Sequence, residues 1–346
     1  MRMKFLSSIC LFVLAFAFIS CGDQKRSVDD ASILTPSSSG RPYEIMVVAE
    51  DSIWDGYVGR ALDDVLNTPL KGLPQEESMF HVSHIVPKHY DRVTNLFRNI
   101  IVIDIGKLYT KASFKIVRNL HAAPQMIMTI QGPSVLDVSV FITENTKFIT
   151  NFFSNEEINR TVRALNKRHN IEFSKKVQDM FGCDMYIPVD INKMKIGDNF
   201  IWASNDALTG VQNIVIYSYP YVSEKVFTKH AYVALRDSFM KVNIPGGQPN
   251  QYMATDYEHV DVKNMKIQDM FVQEARGLWQ MENDGMGGPF VAHSVVDTVN
   301  NRVVVVEGFV YAPEKMKRSM VRRLEASLYT LKLPSGKDAE KKEDKK

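Results

Sequence analysis

The sequence lacks the short motifs that identify several enzyme classes. It contains no G-x-S-x-G nucleophile elbow, no Walker-type phosphate loop, no H-E-x-x-H zinc motif and no dinucleotide fingerprint. Enzyme classes that depend on these motifs therefore have no support. A pair of carboxylates that acts as general acid and base is recognised by separation in space, so that class stays open.

Histidine is also scarce, and its pattern does not favour a metal site. The densest group among the eight histidines is His81, His84 and His89. If residues 79–86 form a strand, His81 and His84 point to opposite faces, because side chains alternate along a strand. The two imidazoles then cannot bind one metal ion. We expect no metal site and no cofactor, and the sequence nominates no catalytic residue.

What the sequence does contain is a bacterial lipoprotein signal at its start. Arg2 and Lys4 precede an apolar run of roughly 15 residues, followed by Ser20, Cys21 and Gly22. This pattern predicts cleavage after residue 20 and lipidation of Cys21. A membrane-spanning helix needs about 20 apolar residues. An ordinary secretory signal, with Cys21 unmodified, is the other alternative.

Cleavage changes both the charge and the cysteine count. Removal of residues 1–20 takes away Arg2, Lys4 and Cys10 but no acidic residue, which leaves 40 basic and 40 acidic residues. A net charge of zero gives no electrostatic footprint for nucleic acid, so nucleic acid is not an expected partner. With Cys21 lipidated, only Cys183 remains in the folded part and no intramolecular disulfide can form. We expect Cys183 to be a buried structural thiol; a nucleophile is the alternative.

The order of polar and apolar segments predicts five regions. They are a signal peptide (1–20), a flexible tether (21–41), an N-terminal α+β half (42–182), a C-terminal α+β half (183–333) and a disordered charged tail (334–346). Strands alternate with helices in both halves, and the predicted strands include 99–105, 184–189 and 302–311. The pattern predicts an α+β fold of largely antiparallel sheets with helices packed on one face.

Three local patterns give further expectations about the two halves. Ser154 and Glu157 match a capping box, and an apolar stripe runs from there to Gly182, which predicts one long helix of about 27 residues. The strand and helix predicted from Tyr43 onward resemble in sequence those predicted from Asn213 onward, which suggests that the two halves are related. The Asn300-Asn301 pair predicts a hairpin turn.

One segment stands out as a candidate ligand or partner contact. Arg276 and Trp279 precede a turn in which Gly287 and Gly288 allow close backbone approach. The alternative places Trp279 in the core and Arg276 on a carbonyl or carboxylate. A second glycine-proline loop, 245–250, either lines the same surface or merely connects a helix to a strand.

These residues carry a resemblance to a known family. The lipobox at Cys21, the strand 42–48 with Trp54 after it, and the segments 276–291 and 305–313 resemble the Bacteroidetes lipoproteins grouped as domain-of-unknown-function family DUF4837. The resemblance covers residues 42–333. It implies an envelope lipoprotein without an established activity, and therefore no site residues.

The sequence thus predicts a protein anchored to the cell envelope by lipid at Cys21. The basic Lys25-Arg26 pair soon after the lipid site favours the outer membrane with the body facing the periplasm. The leading hypothesis is a non-enzymatic binding or assembly module for an unknown envelope protein or ligand. Two alternatives are a hydrolase of polysaccharide or peptidoglycan and a solute-capture protein for a transporter.

Overall fold

The computed structural model describes residues 35–267 and 270–334. The predicted signal peptide, the lipidation site Cys21 and most of the charged tail lie outside these residues. The last residues of the predicted tether are among the described residues. Ser37 forms a β-bridge with Ala123, and Ser39 forms one with Phe97. The segment 36–40 is therefore held against the folded body.

The first sheet has five strands in the order β2-β1-β3-β5-β4. They are β1 (Glu44–Val48), β2 (His81–Ile85), β3 (Asn99–Ile105), β4 (Ser113–Arg118) and β5 (Met126–Gly132). β1 is parallel to β2 and β3, and β3 is parallel to β5. Only the edge strand β4 runs antiparallel. The prediction of largely antiparallel sheets is therefore not met here. The segments after β1 and β2 return the chain to the same end of the sheet, and β4 returns it between β3 and β5.

Helices cover one face of this sheet. They are α1 (Asp51–Trp54), α2 (Tyr57–Leu66) and α3 (Val135–Glu144). Val47, Ile101 and Met128 meet Leu62 and Ile142 in one apolar core. On the opposite face the segment between β2 and β3 crosses the sheet, and its Tyr90 and Phe97 pack on four further apolar residues. Strand β1 is buried on both faces, which explains its unbroken apolar run.

The predicted long helix is wrong in its bounds. The structure has α4 (Thr146–Lys167) and α5 (Ile171–Phe181), with Asn170 capping α5 through the amide of Phe173 at 3.0 Å. Ser154 lies inside α4 and is not a cap. The helix starts earlier because Ile149 and Phe153 already pack in the core of the first sheet. The predicted stop is confirmed, since Gly182 has φ +62°.

Glu157 has a different partner set from the predicted capping box. Its fully buried carboxylate accepts hydrogen bonds from Arg98 at 2.8 Å, Asn99 at 2.8 Å and Arg160 at 2.6 Å. Arg160 also donates to the Asn99 side chain. This network attaches α4 to the amino end of β3.

The second sheet has eight strands and is antiparallel throughout the described residues. Its order is β10-β11-β12-β13-β8-β7-β6, with β9 on β11. The strands are β6 (Lys193–Gly197), β7 (Phe200–Ser204), β8 (Val211–Pro220), β9 (Met253–Thr255), β10 (Asp261–Ile267), β11 (Met270–Met281), β12 (Gly287–Asp297) and β13 (Arg302–Tyr311). The hairpin at Asn300-Asn301 is confirmed: Asn301 has φ +49° and Asp297 pairs with Arg302. β6 and β9 were not predicted, and the strand predicted at 184–189 is a single bridge from Asp184 to Lys332.

Helices lie on both faces of the second sheet, against the prediction of one face. α5 and α7 (Arg318–Leu328) pack with Val304 and Val306, while α6 (Lys229–Asn243) packs with Val303 and Val305. A strand covered on both faces needs no polar alternation, which explains the run of four valines in β13. The α+β class is confirmed. The two sheets differ in strand order and direction, so the topology lends no support to a duplication.

A buried ion pair lies between α6 and the second sheet. Arg236 donates to both carboxylate oxygens of Glu307, at 2.9 and 2.7 Å, and neither side chain has any exposed surface. Arg236 also donates to the Thr255 hydroxyl at 2.9 Å and lies 4.3 Å from the centre of the Phe290 ring. The pair thus ties α6 to β9, β12 and β13.

Candidate functional site

The structure places Arg276 and Trp279 inside the protein. Trp279 is 2% exposed and its indole N–H donates to the Val310 carbonyl at 3.2 Å. Arg276 donates to both oxygens of Glu274, at 2.9 and 3.0 Å, and to Glu325 on α7. This is the alternative in which Trp279 belongs to the core and Arg276 to a carboxylate. Neither side chain offers a free surface to a partner.

Gly287 and Gly288 lie at the start of β12, opposite Gln280 and Trp279. A Cβ on Gly288 would come 2.1 Å from the Val310 oxygen on β13 and 3.1 Å from the Trp279 indole nitrogen. The close approach of β13 and of this indole therefore requires a glycine at position 288. The 245–250 loop does meet this hairpin: Asn283 donates to the Asn250 carbonyl at 2.9 Å. The two glycine-proline loops therefore share one surface, as the sequence analysis allowed.

Gly288→Ala is expected to destabilise the protein by about 1–3 kcal/mol, because the methyl group has no room between two strands. Urea unfolding followed by circular dichroism measures the loss. Gly285→Ala is the matched control, since a Cβ there meets nothing within 4 Å. Equal stability of the two variants would contradict the packing argument.

Cys183 is a buried structural thiol, as predicted. It is fully buried in the core of the second sheet, and its thiol donates to the Phe181 carbonyl at 3.3 Å. Burial raises the pKa of the Cys183 thiol to about 12. The thiolate is the reactive form of cysteine, so this environment suppresses nucleophilic chemistry.

We expect the folded protein to resist a maleimide or disulfide reagent at pH 8, and to react stoichiometrically at Cys183 once unfolded in urea. Mass spectrometry of the quenched reaction measures both states. Rapid labelling of Cys183 in native buffer would show that the site opens without global unfolding.

The histidine cluster is dispersed as predicted, with His81 and His84 on opposite faces of β2. His84 stacks on Trp54 with ring centres 4.8 Å apart, and its Nε2 lies 2.8 Å from the Ala49 carbonyl oxygen. His81 lies 4.0 Å from the Glu44 carboxylate. Across the part of the chain that the structure describes, no three His, Cys, Asp or Glu side chains group closely enough to hold a metal ion.

A surface cleft of about 440 Å³ is the strongest candidate site. We call it the Trp54 cleft. It lies between α1, α2, the start of β2 and the start of α7. Its polar lining comes from Asp63, Asn67, Glu76, Glu77, Ser78, His81, Arg318 and Ser319, and its apolar lining from Trp54, Phe80, Val82 and Met316.

One wall of the Trp54 cleft is fixed by Glu77. This buried carboxylate accepts the backbone amides of Lys317 at 2.6 Å and Arg318 at 2.9 Å, at the amino end of α7. An anionic group is favourable at a helix amino end, where amides lack partners. Arg318 in turn donates to the Ser78 carbonyl at 2.7 Å. Two segments about 240 residues apart are thereby locked together.

The remaining lining gives the Trp54 cleft its chemistry. Asn67 donates to Asp63 at 2.5 Å, which orients that carboxylate, while Glu76 is exposed at the rim. With Glu77 engaged by amides, the cleft presents two carboxylates beside an indole and an imidazole. Such a lining suits a ligand that has both apolar ring surface and hydroxyl or ammonium donors.

Sequence reasoning did not find this cleft. The sequence named Trp54 only among the residues of the family resemblance, and His81 only as part of a histidine cluster. Asp63 and Glu76 come from neighbouring segments, but Arg318 is about 240 residues further along the chain. No local motif joins the three residues, and the Glu77 contact with α7 brings Arg318 to the other two.

A second polar cluster lies buried between α7 and the second sheet. Glu274 accepts from Lys263 at 2.8 Å as well as from Arg276, and Glu325 accepts from Arg322 at 3.1 Å. Burial alone would raise the pKa of each of these carboxyls. The positive charge of Arg276 has a larger effect than burial, so the pKa values of Glu274 and Glu325 lie below the ordinary range of glutamate.

These lowered pKa values predict acid sensitivity. Both carboxylates stabilise the fold above their unfolded pKa of about 4.3, and the stabilisation is lost as the pH falls below it. Glu274→Gln is expected to cost about 2 kcal/mol at pH 7. Its urea midpoint should begin to approach that of the parent protein as the pH falls below about 4, and the two should converge only below the lowered pKa of Glu274. The exposed Glu224→Gln variant serves as control and should follow the parent at every pH.

The geometry defines an α+β protein of two sheets that carries the Trp54 cleft on its surface. Comparison with protein families assigns both parts: residues 170–330 match the domain of unknown function DUF4837, and residues 38–166 match the domain of unknown function DUF8532. The C-terminal part of the chain is thus similar to DUF4837 over residues 170–330. The predicted resemblance to DUF4837 is confirmed over this narrower span.

Similarity to individual proteins is slight. No curated protein matches the chain. A crystal structure of a protein from Bacteroides thetaiotaomicron matches with 14% identity and a TM-score of 0.26, over 45% of this chain and 46% of that one. The chain thus spans just under half the length of that protein. Among residues 35–267 and 270–334, no helix is both long and apolar enough to cross a membrane.

Proposed function

We propose that this chain is a lipid-anchored protein of the cell envelope that binds a saccharide-like ligand in the Trp54 cleft. The composition of the cleft carries the proposal. An indole supplies the apolar surface on which a sugar ring packs, and Asp63, Asn67 and Glu76 supply acceptors and donors for its hydroxyl groups. The anchoring part rests on the lipoprotein pattern that ends at Cys21.

The binding test uses titration calorimetry with chitobiose and a peptidoglycan disaccharide against the purified protein. Trp54→Ala is expected to weaken binding about ten-fold, the loss typical of one aromatic contact. Tyr57→Ala is the matched control, because Tyr57 is an aromatic residue of α2 that is 66% exposed and outside the cleft lining. Unchanged affinity of Trp54→Ala beside unchanged folding would refute the site.

The anchoring test compares the parent chain with Cys21→Ser in a host that processes lipoproteins. The parent is expected in the outer-membrane fraction, with mass spectrometry showing acyl groups on an N-terminal Cys21. Cys21→Ser is expected in the soluble periplasmic fraction. A parent protein that keeps residues 1–20, or that starts elsewhere without acyl groups, would refute the anchor.

A hydrolase is the second candidate, because Asp63 and Glu76 line one cleft and glycosidases act through two carboxyl groups. Release of reducing ends from peptidoglycan or polysaccharide tests this activity. Glu76→Gln would abolish the release if Glu76 takes part in the chemistry, while leaving calorimetric binding within a few-fold. Binding without release by the parent protein supports the binding module.

A further inference from the structure

The chain enters its folded body at one end of the first sheet. Ser38 donates from its amide to the Ala123 carbonyl at 3.3 Å, and Ser39 donates to the Leu96 carbonyl at 2.9 Å. Residues 36–40 therefore lie between two turns, one that leads into β3 and one that joins β4 to β5. These turns mark where the segment from Cys21 reaches the body.

The two turns are held together by buried contacts. The Gln125 side chain donates to the Asn95 carbonyl at 2.6 Å and to the Phe97 carbonyl at 2.8 Å, while it accepts the amide of His121 at 3.0 Å. The His121 ring meets the Tyr90 ring edge to face, with centres 6.3 Å apart. The turns thus form one surface of fixed geometry.

This surface exposes apolar side chains among cations. Val93 is 73% exposed and Leu120 is 58% exposed, each in one of the two turns. Lys88 and Arg92 are exposed in the same segment as Val93, and Arg118 is exposed at the end of β4, two residues before Leu120. Among the described residues, no carboxylate lies within ion-pair distance of Lys88 or Arg92, and Arg118 pairs with Glu156 at 3.0 Å. We call these five residues the tether-proximal surface.

Asp91 is the acidic residue of the turn that contains Val93, and its carboxylate is hydrogen-bonded within that turn. Asp91 accepts the amides of Val93 at 2.9 Å and Thr94 at 3.1 Å, and these bonds lower the pKa of its carboxyl. Lys88, Arg92 and Arg118 together with Asp91 and Glu156 make three cations against two carboxylates, so the region keeps an excess of one positive charge. Isolated exposed leucine and valine side chains are ordinary, but here they coincide with unpaired cations and with the entry of the chain.

We propose that the tether-proximal surface docks on the anionic phospholipid surface to which the protein is anchored. The proposal rests on the proposed lipidation of Cys21. About 15 residues separate Cys21 from Pro36, and they reach at most about 50 Å when extended. The body therefore stays near the bilayer, and the surface that carries the tether is presented to it. Cations are drawn to anionic headgroups, and the apolar tips enter the headgroup region.

The test locates four side chains relative to the bilayer in the full lipidated protein. Val93→Cys and Leu120→Cys probe the tether-proximal surface, and Leu108→Cys and Leu208→Cys probe loops elsewhere that are 97% and 103% exposed. Each thiol takes an environment-sensitive fluorophore, while the buried Cys183 stays unlabelled. The labelled proteins are reconstituted in phosphatidylcholine vesicles containing phosphatidylglycerol and a headgroup nitroxide quencher.

We expect quenching at positions 93 and 120 to exceed that at 108 and 208 several-fold. Lys88→Glu combined with Arg92→Glu should abolish this difference, since each cation near an anionic surface contributes about five-fold to the docking equilibrium. Lys107→Glu combined with Lys111→Glu, beside Leu108, is the matched control and should leave it unchanged. Vesicles of pure phosphatidylcholine, which lack the anionic headgroup, should also reduce the difference in quenching between the two pairs of positions.

The outcomes separate this proposal from the anchor itself. A protein that does not float with the vesicles lacks a functional anchor, which refutes the proposed lipidation. A protein that floats but shows equal quenching at all four positions overturns the docking surface alone. Protection of positions 93 and 120 from labelling in cells, without quenching in vesicles, would assign the surface to a protein partner and overturn the bilayer proposal.

Discussion

Replacing Glu307 by glutamine is expected to destabilise the protein by about 3–5 kcal/mol. The Arg236 guanidinium would keep its charge in a fully buried position, where it now has a bidentate carboxylate partner at 2.7 and 2.9 Å. A neutral amide cannot compensate that charge and would also direct one N–H group toward another donor. The loss corresponds to a fall of roughly 10 °C in Tm.

The double variant Arg236→Met with Glu307→Leu distinguishes the loss of a pair from the loss of packing. Removing both charges avoids the uncompensated ion, so this variant should be within about 1–2 kcal/mol of the parent protein. Urea unfolding followed by circular dichroism measures both proteins. If Glu307→Gln unfolds at the parent urea midpoint, the pair does not hold α6 on the sheet as argued.

Replacing Glu157 by glutamine is expected to cost a similar amount, about 3–5 kcal/mol. This carboxylate is 1% exposed and accepts hydrogen bonds from Arg98 and Arg160, whose side chains are 16% and 4% exposed. Glutamine would leave two buried guanidinium groups without a counter-charge. The amino end of β3 and the middle of α4 would then separate, or admit water.

The adjacent Glu156 provides a matched control. Its ion pair with Arg118 lies at the surface, where the Arg118 side chain is 51% exposed. Pairs of this kind contribute about 0–1 kcal/mol, because water and salt screen them. Glu156→Gln is therefore expected to keep nearly the parent urea midpoint. Equal losses for the two neighbours would mean that burial at position 157 is not what makes its charge important.

Elements whose signal is local were predicted well. The strand predicted at 99–105 matches β3, and the strand predicted at 302–311 matches β13. Both are apolar runs bounded by polar turns, so neighbouring residues contain the whole signal. The hairpin at Asn300-Asn301 and the helix end at Gly182 follow from backbone preferences of single residues.

Elements that depend on partners distant in the chain were not predicted. β9 is a strand of three residues because Thr255 pairs with Trp279, and nothing near Thr255 in the chain announces that pairing. The capping-box pattern at Ser154 failed because Glu157 accepts hydrogen bonds from Arg98 and Asn99, which are nearly 60 residues away in the chain and meet α4 only in the folded protein. Competing tertiary contacts of this kind override a local preference.

By itself, the amino-acid sequence determined the α+β class, the absence of an intramolecular disulfide in the folded part and the burial of Cys183, since composition and local apolar patterns suffice for these. Only the tertiary structure decided that Arg276 and Trp279 are interior residues and that Trp54, Asp63, Glu76 and Arg318 line one cleft. The physical reason is distance along the chain. Glu77 and the amino end of α7 are about 240 residues apart, and their hydrogen bonds exist only after both sheets are packed.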